Sequence, residues 1–201
     1  MIALKTVVVP STDAAAFAIR GERAPDAIAR EALLDACFGV NRALRTCERL
    51  RDGRAPAEGL AFSAVRRGTT RLVGTLRLWH VSAGGIPALL LGPLAVDDTC
   101  RKLGVGAALM DHALAAATAR GHRAVILLGD APYYARFGFS APKTSELSLP
   151  GPFERDRLLG LDLVEGALDG AWGMIVATGA LARPLRAPRT RKSAKLVTHA
   201  A

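Results

Sequence analysis

Arg101-Lys102-Leu103-Gly104-Val105-Gly106 separates an apolar run ending at Val96 from an alanine-rich segment, and the reading of this stretch decides the fold. Glycines at 104 and 106 let the backbone pass close to a ligand. A helix starting here presents unpaired N–H groups and the positive end of its dipole to an anion. The stretch therefore has the form of a phosphate cradle. It departs from the dinucleotide fingerprint because Leu109 stands where a third small residue is required, and no Gly-Lys-Ser/Thr occurs in the chain. Both common nucleotide-binding readings fall on those facts.

After the cradle, Leu103, Ala107, Met110, Leu114 and Ala117 recur at helical spacing, and Gly121 ends the predicted helix. Ala124-Val125-Ile126-Leu127-Leu128 reads as a fully buried strand. A strand ending at Val96, a helix and then this strand make a parallel crossover, and a ligand belongs at the junction. Before the cradle, Leu60 to Val65 and Arg71 to Val81 form a hairpin through Arg66-Arg67-Gly68-Thr69, and Gly84-Gly85 turns the chain into a third strand over Ile86 to Val96. Gly92-Pro93 interrupts that strand. Either the strand ends there, or it continues through Leu94-Ala95-Val96 and the interruption splays it from its neighbour to open a slot.

The N-terminal part supplies a short strand over Ala15 to Arg20, a helix through Ile28, Leu33, Leu34 and Phe38 closed by Gly39, and a second helix capped by Asn41 and reaching Leu50. Beyond Phe139 the pattern returns to strand, with Leu159, Leu161 and Leu163 alternating before Ala171 to Thr178. These elements predict an α/β domain: a mixed, twisted, open sheet with a central βαβ unit and flanking helices.

The chain has 201 residues, half of them hydrophobic, which suits a single domain over residues 1–181. Residues 182–201 hold six of the basic residues and no acid, so the net charge of +9 falls to +3 without them. That basic, proline-interrupted tail is predicted to be flexible. It suggests nucleic-acid contact only weakly, since it has no aromatic side chain to stack on a base. No apolar stretch reaches membrane-spanning length, and Val7-Val8-Val9 is broken by Pro10 too early for a signal-peptide core. Cys37, Cys47 and Cys100 lack metal or redox spacing, as do the four histidines, so reduced thiols, no metal and a cytoplasmic protein are expected.

A second motif, Tyr133-Tyr134-Ala135-Arg136-Phe137-Gly138-Phe139, follows the buried strand. Arg-x-x-Gly-x-Gly and this tyrosine motif, in that order, resemble the GNAT superfamily of N-acetyltransferases. At motif level the resemblance covers residues 92–106 and 130–139, and in the order of elements roughly residues 15–180. It implies a GNAT-like fold that binds acetyl-CoA as co-substrate. The amides of Lys102, Leu103, Gly104, Val105 and Gly106 would hold the diphosphate, Arg101 and Lys102 would add charge, and the backbone of Leu94, Ala95 and Val96 would pair with the pantetheine arm. Tyr134, four residues before Gly138, stands at the spacing of the family's general acid, and Tyr133 is the lesser donor.

An amine must shed a proton before it attacks a thioester. Asp97, Asp98, Asp130 and His80 are the candidate bases, each with an equally plain structural role. The asparagine-containing stretch usual in the family reads Gly129-Asp130-Ala131-Pro132 here. A backbone N–H near Leu94 or Ala95 would serve the oxyanion, since Pro93 has none. No nucleophile set is present, which favours direct transfer of the acetyl group to a primary amine, although Cys100 beside two cations keeps one reactive reading open. The alternative is a non-catalytic acyl-CoA sensor of the same fold. Glu22, Asp26, Glu154 and Asp156 hint at a cationic acceptor, and a homodimer stays open.

Overall fold

Hydrophobic alternation in the first half of the chain builds an antiparallel meander. The computed structural model describes residues 16–182. Strand β1 (Phe17–Gly21) pairs with β2 (Ala61–Arg66), β2 with the long β3 (Leu72–Ala83), and β3 with β4 (Ile86–Leu91). The expected hairpin closes through Thr69 N–H donating to Arg66 O at 3.2 Å. Leu89, Leu90 and Leu91 are all buried, as a strand covered on both faces requires.

The interruption at Gly92-Pro93 does not end the strand. Gly92 N–H still donates to Arg77 O at 2.8 Å, and β5 (Ala95–Val96) then pairs Ala95 with Thr75. Pro93 and Leu94 therefore both stand opposite Leu76, which is a β-bulge. The Trp79 ring locks it, its Nε1–H donating to Gly92 O at 2.6 Å. Helix α3 (Val105–Ala119) then carries the chain back to β6 (Ala124–Leu128). β6 lies parallel to β4 at Leu89 and Leu90 and pairs antiparallel with β8 (Leu158–Asp162), whereas β5 pairs only with β3. The sheet is thus split between β5 and β6, as the splayed-strand reading expects.

Adjacent residues of β5 face opposite sides of the sheet. Ala95 packs with Leu33 and Leu34 of α1 (Ala27–Phe38), while Val96 approaches Gly106 of α3, so the two helices cover opposite faces. The buried positions of α3 are Val105, Leu109, Met110, Ala113 and Ala117. Of the expected stripe only Met110 and Ala117 are buried. The helix is so rich in alanine that periodicity leaves its rotation open, and contact with β1, β2 and β3 decides it.

The single helix expected from Asn41 to Leu50 is instead a 3-10 turn over Val40–Leu44 and a one-turn α2 (Thr46–Arg49), broken at the extended Arg45. Long-range bonds impose the break. Thr46 Oγ1 donates to Pro152 O at 2.5 Å and Arg49 Nη1 to Pro150 O at 2.9 Å, which outweighs the weak cooperativity of so short a helix. α4 (Ala131–Ala135) carries the tyrosine motif, β7 (Leu147–Ser148) follows, and β9 (Gly173–Ala177) returns to pair with Val81–Ala83 of β3 and with β7. No described helix is long and apolar enough to cross a membrane. The tail from residue 183 onward and the Val7-Val8-Val9 run lie outside the described residues.

Candidate functional site

The split between β5 and β6 opens a cleft of about 880 Å³ lined by the bulge, the start of α3, the end of β6, α4 and the α1–α2 connection. At one end the loop before α3 takes left-handed φ values at Lys102 (69°) and Gly104 (75°). Gly104 precedes the helix without a side-chain cap, and the first helical bond runs from Ala108 N–H to Gly104 O at 2.9 Å. Among the described residues the amides of Lys102, Gly104, Val105 and Gly106 have no acceptor, which leaves a cluster of N–H groups beside the positive end of a helix dipole. The Leu103 amide does not join them, because it bonds Cys100 O at 3.3 Å within the preceding turn. Arg101 lines the cleft and pairs with exposed Asp98 at 2.8 Å.

Along the cleft wall, strand alternation sorts the bulge residues. Ala95 is in register with Thr75, and Asp97 N–H bonds Val73 O at 2.9 Å, so both face β3. The N–H groups of Leu94 and Val96 point the other way. Of the two oxyanion donors expected from sequence, Leu94 therefore has its N–H toward the cleft, while the Ala95 N–H is committed to the ladder.

At the far end, α4 starts at Asp130, whose carbonyl accepts from Tyr133 N–H at 3.0 Å and Tyr134 N–H at 3.1 Å. The two rings meet edge to face at 4.9 Å. Tyr134 packs against the core and lines the cleft, and its hydroxyl, which bonds no described residue, is not sealed from solvent. Burial pushes its phenol up to about 12, with Tyr133 adding to the rise and Arg157 and Arg51 opposing it. Gly129 is what admits the ring: a methyl group there would occupy the position of Tyr134 Cε2. Gly129→Ala is expected to displace Tyr134 and lower turnover about tenfold or more with the fold retained, as read by steady-state rates beside a circular dichroism melt. Tyr133 reaches toward the cradle, its hydroxyl 2.8 Å from where a Cβ at Gly106 would stand, under the Arg136 guanidinium 4.0 Å from its ring centre.

The candidate bases separate. Asp130 lines the cleft, whereas His80 sits against His122, 5.4 Å between ring centres, in a different cavity. Asp97 is structural: it accepts from Thr99 N–H at 2.9 Å, Thr99 Oγ1 at 2.6 Å and Arg71 Nη2 at 2.9 Å. Those bonds, the Thr99 hydroxyl foremost, hold its carboxyl down at about 2. A depressed folded-state value stabilises above the ordinary carboxylate value near ~3.9 and ceases to as pH falls toward 2. The melting temperature of Asp97→Asn should therefore lie below wild type at pH 6 and converge with it near pH 2. Cys100 is buried, which removes the reactive-thiol reading. Among the described residues no group of three or more His, Cys, Asp or Glu could hold a metal ion.

The acidic residues expected on the acceptor side are mostly elsewhere. Glu22 is held between Arg30 and Arg77, and Asp26 is held by Arg20 and Ser63, neither of them in the cleft. Asp156 is likewise absent from its walls, and Glu154 alone of the four lines it. Sequence reading missed Glu48, Arg49 and Arg51, which reach the cleft only because the expected second helix is broken.

Residues 59–141 match the family model described as an acetyltransferase (GNAT) domain. The chain is similar to an uncharacterized N-acetyltransferase, YhbS, of Escherichia coli (strain K12), at 32% identity over 85 residues, 42% of this chain and 51% of the relative. It thus spans about half the length of the curated relatives it matches. In three dimensions it resembles the crystal structure of YhbS from Escherichia coli in complex with CoA, with a TM-score of 0.69 at 26% identity over 81% of this chain and 90% of that one. It shares the fold of a GNAT family acetyltransferase from Brucella melitensis in complex with acetyl-CoA, with a TM-score of 0.61 at 24% identity over 81% and 96% of the two chains.

Proposed function

Because the chain belongs to the GNAT superfamily of N-acetyltransferases, we propose that it transfers the acetyl group of acetyl-CoA directly to a primary amine, with Tyr134 as the general acid. The observation that carries this reading is the split sheet, whose cleft has free amides at one end and an unpartnered phenol at the other. The fit to a diphosphate rests on the amides of Lys102, Gly104, Val105 and Gly106, and on the missing side chain at Gly106, where a Cβ would meet Tyr133 Oη at 2.8 Å. Arg101 and Lys102 add positive charge at the mouth. The outward N–H groups of Leu94 and Val96 would pair with an extended amide chain as an added strand does.

With the thioester beside the bulge, the amine forms the N–C bond and the carbonyl oxygen takes negative charge, stabilised by the Leu94 N–H. Collapse breaks the C–S bond, and the Tyr134 hydroxyl gives its proton to the departing sulfur. Burial keeps the phenol protonated until then. The amine's surplus proton leaves through a carboxylate or water on the acceptor side, where Asp130 and Glu48 stand.

The reading takes residues 1–181 as one domain. In support, all nine strands of the described residues join one sheet, and Leu181 still forms a bridge with Arg54. We take the setting to be cytoplasmic, a reading supported by the free thiols of Cys37, Cys47 and Cys100. Titration calorimetry with acetyl-CoA, paired with a thiol-release assay over a panel of amines, tests the function. Binding on the order of micromolar with amine-dependent CoA release supports it. Binding without release on any amine would leave the acyl-CoA sensor, and no binding by folded protein would remove both.

A further inference from the structure

The acceptor end of the cleft is unusually basic. Its walls carry Arg45, Arg49, Arg51 and Arg157 against Glu48, Glu154 and Asp130. Arg45 and Arg49 spend their bonds on the carbonyls of Phe38 and Pro150, at 3.1 and 2.9 Å, so neither is neutralised. Arg157 meets Glu154 at 3.4 Å on the exposed rim.

Arg51 is the outlier. Its side chain is only 9% exposed, and Nη1 donates to Glu48 Oε1 at 2.9 Å. Its Nε is the one fully buried side-chain nitrogen or oxygen among the described residues without a hydrogen-bond partner, and Nη2, which bonds no described residue, is not sealed from solvent. Nη2 lies 2.9 Å from where a Cβ at Gly92 would stand, so the free edge of the guanidinium is at the bulge, where the acetyl group belongs. A buried guanidinium N–H without an acceptor costs free energy, and the open Nη2 side gives an anion a place to offset it. The planar fork suits a carboxylate or phosphate held through two oxygens.

We propose that the acceptor amine also carries an anionic oxyacid group, a carboxylate or a phosphate, and that Arg51 holds that group. The inference rests on the acetyltransferase reading and names the substrate class of that same cleft. It reverses the cationic acceptor expected from sequence, because Glu22 and Asp26 are consumed by internal arginines. Glu48 fits the other end of such a molecule: its Oε2 has no donor, so Glu48 and Arg51 together offer a carboxylate oxygen beside guanidinium N–H groups, complementary to an ammonium and an anion a few bonds apart.

The test measures kcat/KM for CoA release on matched amines: amino acids against their carboxamides, and aminoalkyl phosphates against the parent amino alcohols. Wild type is expected to favour the anionic member of at least one series by about 100-fold, and which series responds identifies the oxyacid. Arg51→Met should erase that preference, and Arg51→Lys should restore part of it, while calorimetry gives an unchanged acetyl-CoA affinity. Equal rates on charged and neutral partners, or turnover of neutral amines alone, would overturn the proposal. So would an Arg51→Met loss of the same factor on every amine, which would assign Arg51 to the thioester. The wild-type comparison needs no variant and stands even if Arg51→Met does not fold. Failure of acetyl-CoA to bind wild type is a separate result, read before any amine is added, and would remove the acetyltransferase reading itself.

Discussion

Replacing Tyr134 by phenylalanine is expected to lower kcat by about 10²- to 10³-fold while leaving the acetyl-CoA dissociation constant within about twofold. The expectation follows from what the hydroxyl does not do. Among the described residues it bonds nothing, so its removal leaves no orphaned partner and no cavity beyond one oxygen. The ring keeps its contacts with Tyr133 and Phe139 and its place beside Gly129. A general acid lost from the transition state lowers kcat and kcat/KM together, whereas a packing residue would lower stability instead. An unchanged rate would end the role assigned to Tyr134. The pH profile carries a second check. With the phenol pushed up to about 12, wild type should show no alkaline loss of turnover from this group below about pH 11, and an alkaline limb near 10 would point to a different acid.

Gly106→Val should reduce acetyl-CoA affinity by more than about 100-fold, measured by calorimetry, with a melting temperature within a few degrees of wild type. The side chain would enter the space between α3 and β5, its Cβ 2.8 Å from Tyr133 Oη and 3.6 Å from Val96 Cγ2. Tyr133 can swing aside at small cost, and the helical backbone at 106 accepts a side chain, so the fold survives while the cradle is filled. Gly104 is the less clean site. Its φ of 75° penalises any other residue, although a Cβ there meets nothing within 4 Å, so a loss of binding would mix backbone strain with blockage. Retained affinity in Gly106→Val would move the diphosphate away from the start of α3.

The two motifs were legible because their chemistry is local. An uncapped helix start and a left-handed glycine are set by neighbours within one turn, so Gly104 and Gly106 follow from consecutive residues, whereas the helical turn bearing Tyr134 was not expected. The bulge was half legible. Gly92-Pro93 announces an interruption, but whether the strand ends or slips by one residue depends on β3, which pairs with both Gly92 and Ala95. The rotation of α3 was not legible, since an alanine-rich helix has more than one apolar face to offer.

The acceptor side was misread for a related reason. The carboxylates of Glu22 and Asp26 look available in sequence, and only the fold brings Arg30, Arg77 and Arg20 onto them from distant or separate elements. Arg51 carries no signal in the sequence, and it is a buried donor beside an α2 tied down by Pro150 and Pro152. The sequence by itself determined the antiparallel meander, the βαβ junction, the glycine-bearing turn before α3 and the place of the tyrosine motif after β6. The tertiary structure decided which amides and charges remain free, because a charge or a hydrogen bond is spent on whatever lies nearest in space, and partners such as Arg77 for Glu22 or Pro150 for Arg49 lie tens of residues away along the chain.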